Sequence, residues 1–475
     1  MSKELKRPYV DFCCPSAVQV TGSGYHVRFK DYSILMNFGG VQGMGNIYEE
    51  YKINKSLPKG LKPKEIDLIL IEELHYDHQS RVPYLYAKGC EAPIYIPKGS
   101  TQLLKVMFED SVKIMASDCE KISNKYNVNA TPLYTMEDAN NALSHVIEVD
   151  YHEAVNFNDN ISFEFYPSEH ILHSAQVMLT LRDGNMMKRI GYTSDIGSPN
   201  LKHYYLKKFE RLPYCDILIG EATYAAQTRN HKPKDRKVDI QKIKSVILDS
   251  QDTNSTVIIP VFSFDRLEQM LTTIYEIYQE DNKFYQDIIV DTPLGIKLAK
   301  LWESDNEAEK QLWDKVSNWN KVKWISDYES SLQLQQSNKP YIVLSSSGMM
   351  NAGRVLSWVK YKLPNPNNTI MFCGYSSEDS LATEIKRGEK KYLEIDGDMV
   401  KNGAKVVTLN SFSSHASHDE LIDYYRNAKC GRIYIVHSDM DDKTQFCKEL
   451  QETIRKDGNT TKVICTNADT KCYLS

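Results

Sequence analysis

The chain has 475 residues, 41% of them hydrophobic and 25% charged, with a formal net charge of −5. This is the composition of a globular chain of about two to three domains. It excludes a membrane span, because no run approaches the ~18 uncharged apolar residues required. The opening "MSKELKRPYV" lacks the apolar stretch of a secretion signal. The ten cysteines are scattered and include no C-x-x-C pair, which argues against a disulfide framework or a cysteine-based zinc site. A soluble cytoplasmic protein with reduced thiols is expected. The acidic balance argues against broad nucleic-acid coating. Basic clusters at 52–64 and 229–237 are either solvated loops or a local phosphate-binding groove.

In chain order, "YHVRF", "YSILMNF", "IDLILIEEL", "PIYIP", "ISFEFYP" and "QVMLTLR" predict strands from their alternation and β-branched or aromatic content. "VPYLYAKG" and "STQLLKVMFEDSVKIM" predict helices between them. This half reads as sheet covered by helices, an α/β or αββα layering. A second unit is expected to start near Asp216, with "CDILIG", "STVIIPVF", "FYQDIIVD" and "KPYIVLSSSG" as compact strands each followed by a helix. Its clearest helix, "DRLEQMLTTIYEIYQ", places Leu267, Met270, Leu271, Ile274 and Ile277 on one stripe. Strand–helix alternation predicts a parallel sheet buried on both faces. Mixed strands and one helix, "HDELIDYYRNA", return after about Lys391. The expected division is 1–215, an inserted unit at 216–392, and a completion at 393–475.

"LILIEELHYDHQSRVPYL" carries the chemistry. Glu73, His75 and Asp77 recur with period two, so they point to one side where a strand leaves its sheet, and His78 follows at the turn. Imidazole and carboxylate donors together suit Zn²⁺, Mn²⁺ or Fe²⁺. His170 in "YPSEHILHSAQ", Asp195 in "IGYTSDIG" and His415 in "LNSFSSHASHDE" also follow predicted strands. Strand ends of this kind form crevices.

These segments resemble, in order, the motifs of the metallo-β-lactamase-fold nucleases of the β-CASP family. "ILMNFGG" resembles the first motif, "EELHYDHQ" the His-x-His-x-Asp-His motif, "SEHILHSAQ" the third and "GYTSDIG" the fourth. "EATYA", "IIPVFSFDRLEQML", "SSSGMMNAGRVLSWV", "SFSSHASHDELIDY" and "YIVHSD" resemble the later motifs. The resemblance implies an αββα metallo-β-lactamase sandwich with an inserted parallel-sheet β-CASP domain. It implies two divalent ions, zinc by family, that activate water for attack on an RNA phosphodiester. One ion would be held by Glu73, His75, His170 and Asp195. The other would be held by Asp77, His78, His415 and a bridging Asp195.

The resemblance assigns catalysis to Asp77 at the second ion and to the acid Glu221 near the leaving group. His437 is the expected proton donor, or else a strand-end histidine bonded to backbone. Ser346, Ser347, Arg266, Lys232 and Lys234 are candidate phosphate contacts, with packing or turn roles as the alternatives. His173 is expected to line the groove and His418 to lie on the surface. Three positions depart from the family pattern: Glu73 stands for a histidine, Asn37 for an aspartate, and Glu384 for a histidine. Glu73 brings a harder donor and favours manganese or iron. By the resemblance, His415 implies an RNA substrate, single-stranded in the cleft, with endonuclease action expected ahead of 5′-exonuclease action. A catalytically impaired scaffold, or a hydrolase acting on DNA or a small nucleotide, is the alternative. Assembly as a homo-oligomer or within an RNA-processing complex is open.

Overall fold

The computed structural model describes residues 8–12, 14–199, 210–229, 235–302, 307–374, 376 and 380–474. Two seven-stranded sheets form a sandwich. The first runs, in spatial order, Lys471–Tyr473, Tyr9–Asp11, Tyr25–Phe29, Tyr32–Met36, Leu68–Leu70, Ile94–Pro97 and Val146–Val149. The second runs Lys462–Cys465, Cys430–Val436, Cys215–Glu221, Met186–Tyr192, Ala175–Asp183, Ile161–Pro167 and Val155–Asn156.

Period-two alternation explains the layering. Leu68 and Leu70 share a core with Phe163, Phe165, Val177, Ile217 and Ile219 of the opposite sheet. Their neighbours Ile69 and Ile71 turn the other way, onto Val82, Leu85, Leu104 and Phe108 of the helices Val82–Ala87 and Thr101–Tyr126. On the far side Leu218 and Ile433 pack on Leu421, Tyr425 and Phe446 of His418–Arg426 and Met440–Lys456. The result is helix, sheet, sheet, helix.

A third, six-stranded sheet has the order Val322–Trp324, Ile288–Asp291, Ile342–Ser345, Val257–Pro260, Thr369–Phe372 and Lys405–Thr408. Every pairing in it is parallel. Both faces are buried, Val257 and Ile259 toward one core and Ile258 toward another. The predicted stripe Leu267, Met270, Leu271, Ile274 and Ile277 is buried against it. The same core joins Ile259 to Ile69, so the inserted sheet and the sandwich pack through shared apolar residues.

Two boundaries differ from expectation. Cys215–Glu221 does not open the inserted unit; it lies in the second sandwich sheet, parallel to Met186–Tyr192 and Cys430–Val436. It is a doubly buried parallel strand, as its apolar run implied, but the run alone does not say which sheet receives it. Lys405–Thr408, expected in the completing segment, pairs instead with Thr369–Phe372 of the inserted sheet. No helix among the described residues is long and apolar enough to cross a membrane.

Candidate metal centre

The donors sit where strands of both sandwich sheets end. Leu68–Leu70 leads to Glu73 and His75, and the short helix Tyr76–Gln79 carries Asp77 and His78. His170 follows Ile161–Pro167, Asp195 follows Met186–Tyr192, Glu221 ends Cys215–Glu221, and His437 follows Cys430–Val436. His415 arrives on the chain returning from the inserted sheet, bridged to Gly197.

Close backbone approach holds these loops together. A Cβ at Gly39 would fall 1.7 Å from the Asp77 carbonyl oxygen, and one at Gly197 would fall 1.8 Å from that of Glu169. Only glycine fits either place. Asn37, Glu169, Ser194 and His437 all have positive φ. Such costly conformations concentrate at functional sites. The His170 loop is held by the Ser174 hydroxyl, which accepts from the backbone N–H of His170 and Ile171 at 3.1 Å each.

Donors of one tetrahedral ion, each about 2.1 Å from it, stand about 3.4 Å apart. His78 Nε2 lies 3.4 Å from Asp195 Oδ2 and 3.8 Å from Asp77 Oδ2. His437 Nε2 lies 3.2 Å from Asp77 Oδ2, and its Nδ1 3.3 Å from Asp195 Oδ1. His170 Nε2 lies 3.8 Å from both Asp195 Oδ2 and Glu73 Oε1. His75 Nδ1 lies against Glu73 Oε1. His78 Nε2, both ring nitrogens of His170, both oxygens of Glu73 and Asp195 Oδ1 are buried without a hydrogen bond. Buried polar atoms are ordinarily satisfied. A ring of orphaned imidazoles and carboxylates at these separations fits divalent metal ions.

Burial disfavours charge on every member, and neighbouring charges then sort them. The Glu73, Asp195 and Asp77 carboxylates outweigh burial at His78 and hold its pKa well above the ordinary range. At His437 burial is likewise overcome, by Asp195 and Asp77, and the pKa reaches about 9. Despite burial, the surrounding histidines hold Asp195 well below the usual carboxylate range, and Asp77 is also lowered. Burial, with His415 alongside, pushes His170 far down and keeps it neutral. Neutral imidazole and ionised carboxylate are the forms that ligate metal, so His170, Asp77 and Asp195 are ready to do so, whereas His78 and His437 would release a proton as an ion binds.

All seven expected ligands converge, but their grouping differs. The set containing Asp77 and His78 is completed by His437, whereas His415 groups with His170 and Asp195. His415 also turns Nδ1 toward Glu221 Oε1 at 3.4 Å. Glu221 is anchored by accepting from the backbone N–H of Ile196 (3.1 Å) and Thr223 (2.6 Å). This departs from the expectation of His415 in that set and His437 as proton donor, and strand register is the reason: Val436 lies opposite Glu221 in parallel pairing, so the next residue, His437, emerges beside the centre. Its place after the fifth of the sandwich strands that end at this centre was the available signal.

Asn37 lies 3.1 Å from His78 Nδ1 and donates to Tyr192 Oη at 3.0 Å, so the substituted residue still orients that ring. Glu384 pairs with Lys390, on the helix Leu381–Arg387. Arg266 is buried and donates to Gln269 and to Ser414 beside His415, which is the packing role. Ser346 is within hydrogen-bonding distance of Thr292 (2.8 Å), and Ser347 donates to the Ala352 carbonyl (3.1 Å). Lys232 and Lys234 lie outside the described residues. Arg236, from the same basic run, stacks 3.5 Å from the Phe412 ring centre. His173 adjoins Gly99, away from the donor sets. His418, expected on the surface, is buried, with Nδ1 2.7 Å from the Ala225 carbonyl oxygen. Glu72 escaped the sequence reading: it is wholly buried, both oxygens lack partners, and burial raises its pKa to about 8.

The family profile of the Beta-Casp domain matches residues 267–385, and that of a Zn-dependent metallo-hydrolase RNA specificity domain matches 400–463. Ribonuclease TTHA0252 of Thermus thermophilus is 26% identical over 432 residues, covering 89% of this chain and 92% of that protein. Probable RNase MJ4 of Methanocaldococcus jannaschii is 27% identical over 432 residues, with the same coverage of 89% and 92%. Transcription termination factor FttA of the same organism is 23% identical over 416 residues; the match takes in 83% of this chain and 61% of FttA. A crystal structure of a protein of unknown function from Enterococcus faecalis shares the fold at a TM-score of 0.50 and 13% identity, covering 99% of this chain and 100% of that one. Profiles, relatives and the convergence of donors between two sheets agree in supporting one likeness: the chain is similar to the metallo-β-lactamase-fold β-CASP ribonucleases.

Proposed function

We propose that the chain holds two divalent ions and cuts internal phosphodiester bonds of single-stranded RNA in the cleft between the sandwich and the inserted unit. The observation that carries this reading is the pair of donor sets meeting at Asp195, which appears with His78, His170, His415 and His437 in turn. His75, His170, Glu73 and Asp195 would hold one ion; Asp77, His78, His437 and Asp195 would hold the other. Such a pair supplies positive charge that polarises the phosphate and lowers the pKa of water toward ~7.

The remaining steps belong to protein groups. Asn37 fixes the His78 ring, and the Thr223 hydroxyl, 3.0 Å from His437 Nδ1, fixes that of His437. Partners of this kind orient ligating histidines. Glu221 holds His415 by Nδ1 and leaves Nε2 facing the centre, 3.9 Å from Asp195. His415 is therefore the proton donor to the departing sugar oxygen, in place of His437. Phe262 of the inserted unit, its ring centre 6.5 Å from that of His75, closes the cleft from the other side. The Ser346 and Ser347 hydroxyls are engaged within the inserted unit, so they are poorly placed to select a terminal phosphate. That supports internal cleavage.

A circular single-stranded RNA, its linear form and a DNA of the same sequence test the proposal. Opening of the circle with the DNA left intact is expected. Cleavage of the linear RNA alone would replace endonuclease by exonuclease action, and cleavage of DNA alone would overturn the RNA assignment.

A further inference from the structure

The Glu73 carboxylate faces both donor sets. Its Oε1 lies against His75 Nδ1 and 3.8 Å from His170 Nε2, while Oε2 lies 3.7 Å from His78 Nε2. Glu73 accordingly groups with His75 and His170 on one side, and with His78 and Asp195 on the other. The side chain is buried, and neither oxygen makes a hydrogen bond of ordinary geometry.

The residue before it is tied by both its backbone polar groups. The adjoining Glu72 carbonyl accepts from Ala175 of the second sheet at 2.8 Å, and the Glu72 N–H donates to Asn37 Oδ1 at 3.4 Å. The chain entering Glu73 is therefore held against the second sheet. A histidine here would offer one nitrogen to one ion. A carboxylate has two oxygens and can serve an ion with each.

We propose that Glu73 is a second bridge between the two metal positions, parallel to Asp195, so that the ions load as a coupled pair and the site prefers Mn²⁺ or Fe²⁺ to Zn²⁺. The inference rests on the two-ion reading above. The preference follows because Glu73 adds a third carboxylate to Asp77 and Asp195, and hard oxygen donors favour those ions relative to zinc.

The test uses the full chain, stripped with a chelator and titrated with MnCl₂ or ZnCl₂ by calorimetry, with electron paramagnetic resonance of the manganese-loaded protein. Glu73→Gln keeps the shape but removes the charge. Glu73→His keeps one donor for one ion. Wild type should take two Mn²⁺ per chain and show the spectrum of an exchange-coupled pair. Glu73→Gln should weaken both binding events, each by about tenfold or more, the scale on which even supporting residues act. Glu73→His should lose the coupling and shift preference toward zinc. Thermal melting of the stripped variants near that of wild type shows that they fold. If Glu73→Gln weakens one ion and leaves the other unchanged, Glu73 is a terminal ligand and the bridge is overturned. A wild-type chain that takes fewer than two ions overturns the two-ion function and the bridge together.

Discussion

Asp291 of the inserted sheet and Asp195 of the sandwich are both buried carboxylates at or just beyond the end of a strand, yet their surroundings differ in kind. Asp291 accepts from Arg354 at 2.6 Å, from the Trp358 indole at 2.7 Å and from Ser331. Asp195 faces four histidines, and its Oδ1 accepts no hydrogen bond. A buried charge whose partners are all in place is a structural device. A buried charge ringed by other ligand atoms, several of them unsatisfied, is tolerated where something else completes it.

The sharpest way to break this comparison is to remove each carboxylate. Asp195→Ala should lower single-turnover RNA cleavage by about four decades, close to 5 kcal/mol of transition-state stabilisation, without lowering the melting temperature of the metal-free chain. Retained cleavage would mean that Asp195 does not join the two sets. Asp291→Ala should leave metal content unchanged but cost about 3–5 kcal/mol of folding stability, because it strands the Arg354 charge. A denaturant titration measures this, and an unaltered midpoint would dissolve the contrast.

Within the metal centre the same logic separates two histidines. His415→Ala should reduce cleavage by about 10²–10³-fold while the chain keeps its ions, the scale of a general acid. His437→Ala should lose metal as well. Elemental analysis beside the rate tells the two apart; equal metal loss in both would return His415 to the ligands.

Glu268, wholly buried in the inserted unit with neither oxygen hydrogen-bonded, is the exception there. Burial raises its pKa from 4.5 to about 8. The unfolded chain therefore releases this proton first, and stability should fall as pH rises between those values. The slope approaches about 1.4 kcal/mol per pH unit. Glu268→Gln should remove this dependence. Parallel stability curves for variant and wild type across pH 5–8 would show that the carboxyl finds a partner.

The apolar Leu68–Ile71 run announced a strand, and the Glu73, His75, Asp77, His78 cluster announced candidate metal donors by its chemistry; the expected period-two ladder did not form, because the strand ends at Leu70 and Asp77 lies on the helix Tyr76–Gln79. The helix Arg266–Glu280 was equally legible from its stripe. Cys215–Glu221 was placed in the wrong sheet because a strand buried on both faces carries no mark of its neighbours. Arg236 and His418 read as surface or phosphate-facing residues, yet they pack on Phe412 and Ala225, partners remote in the chain.

The sequence by itself determined which side chains are candidate donors, since their chemistry and their places beyond predicted strands are written locally. Only the tertiary structure decided which of them stand together. His415 and His437 each follow a strand or loop with nothing nearby to distinguish them. The packing of one sheet on the other turns His437 toward Asp77 and His415 toward Glu221. Distances between strand ends belong to that packing, and no run of neighbouring residues encodes them.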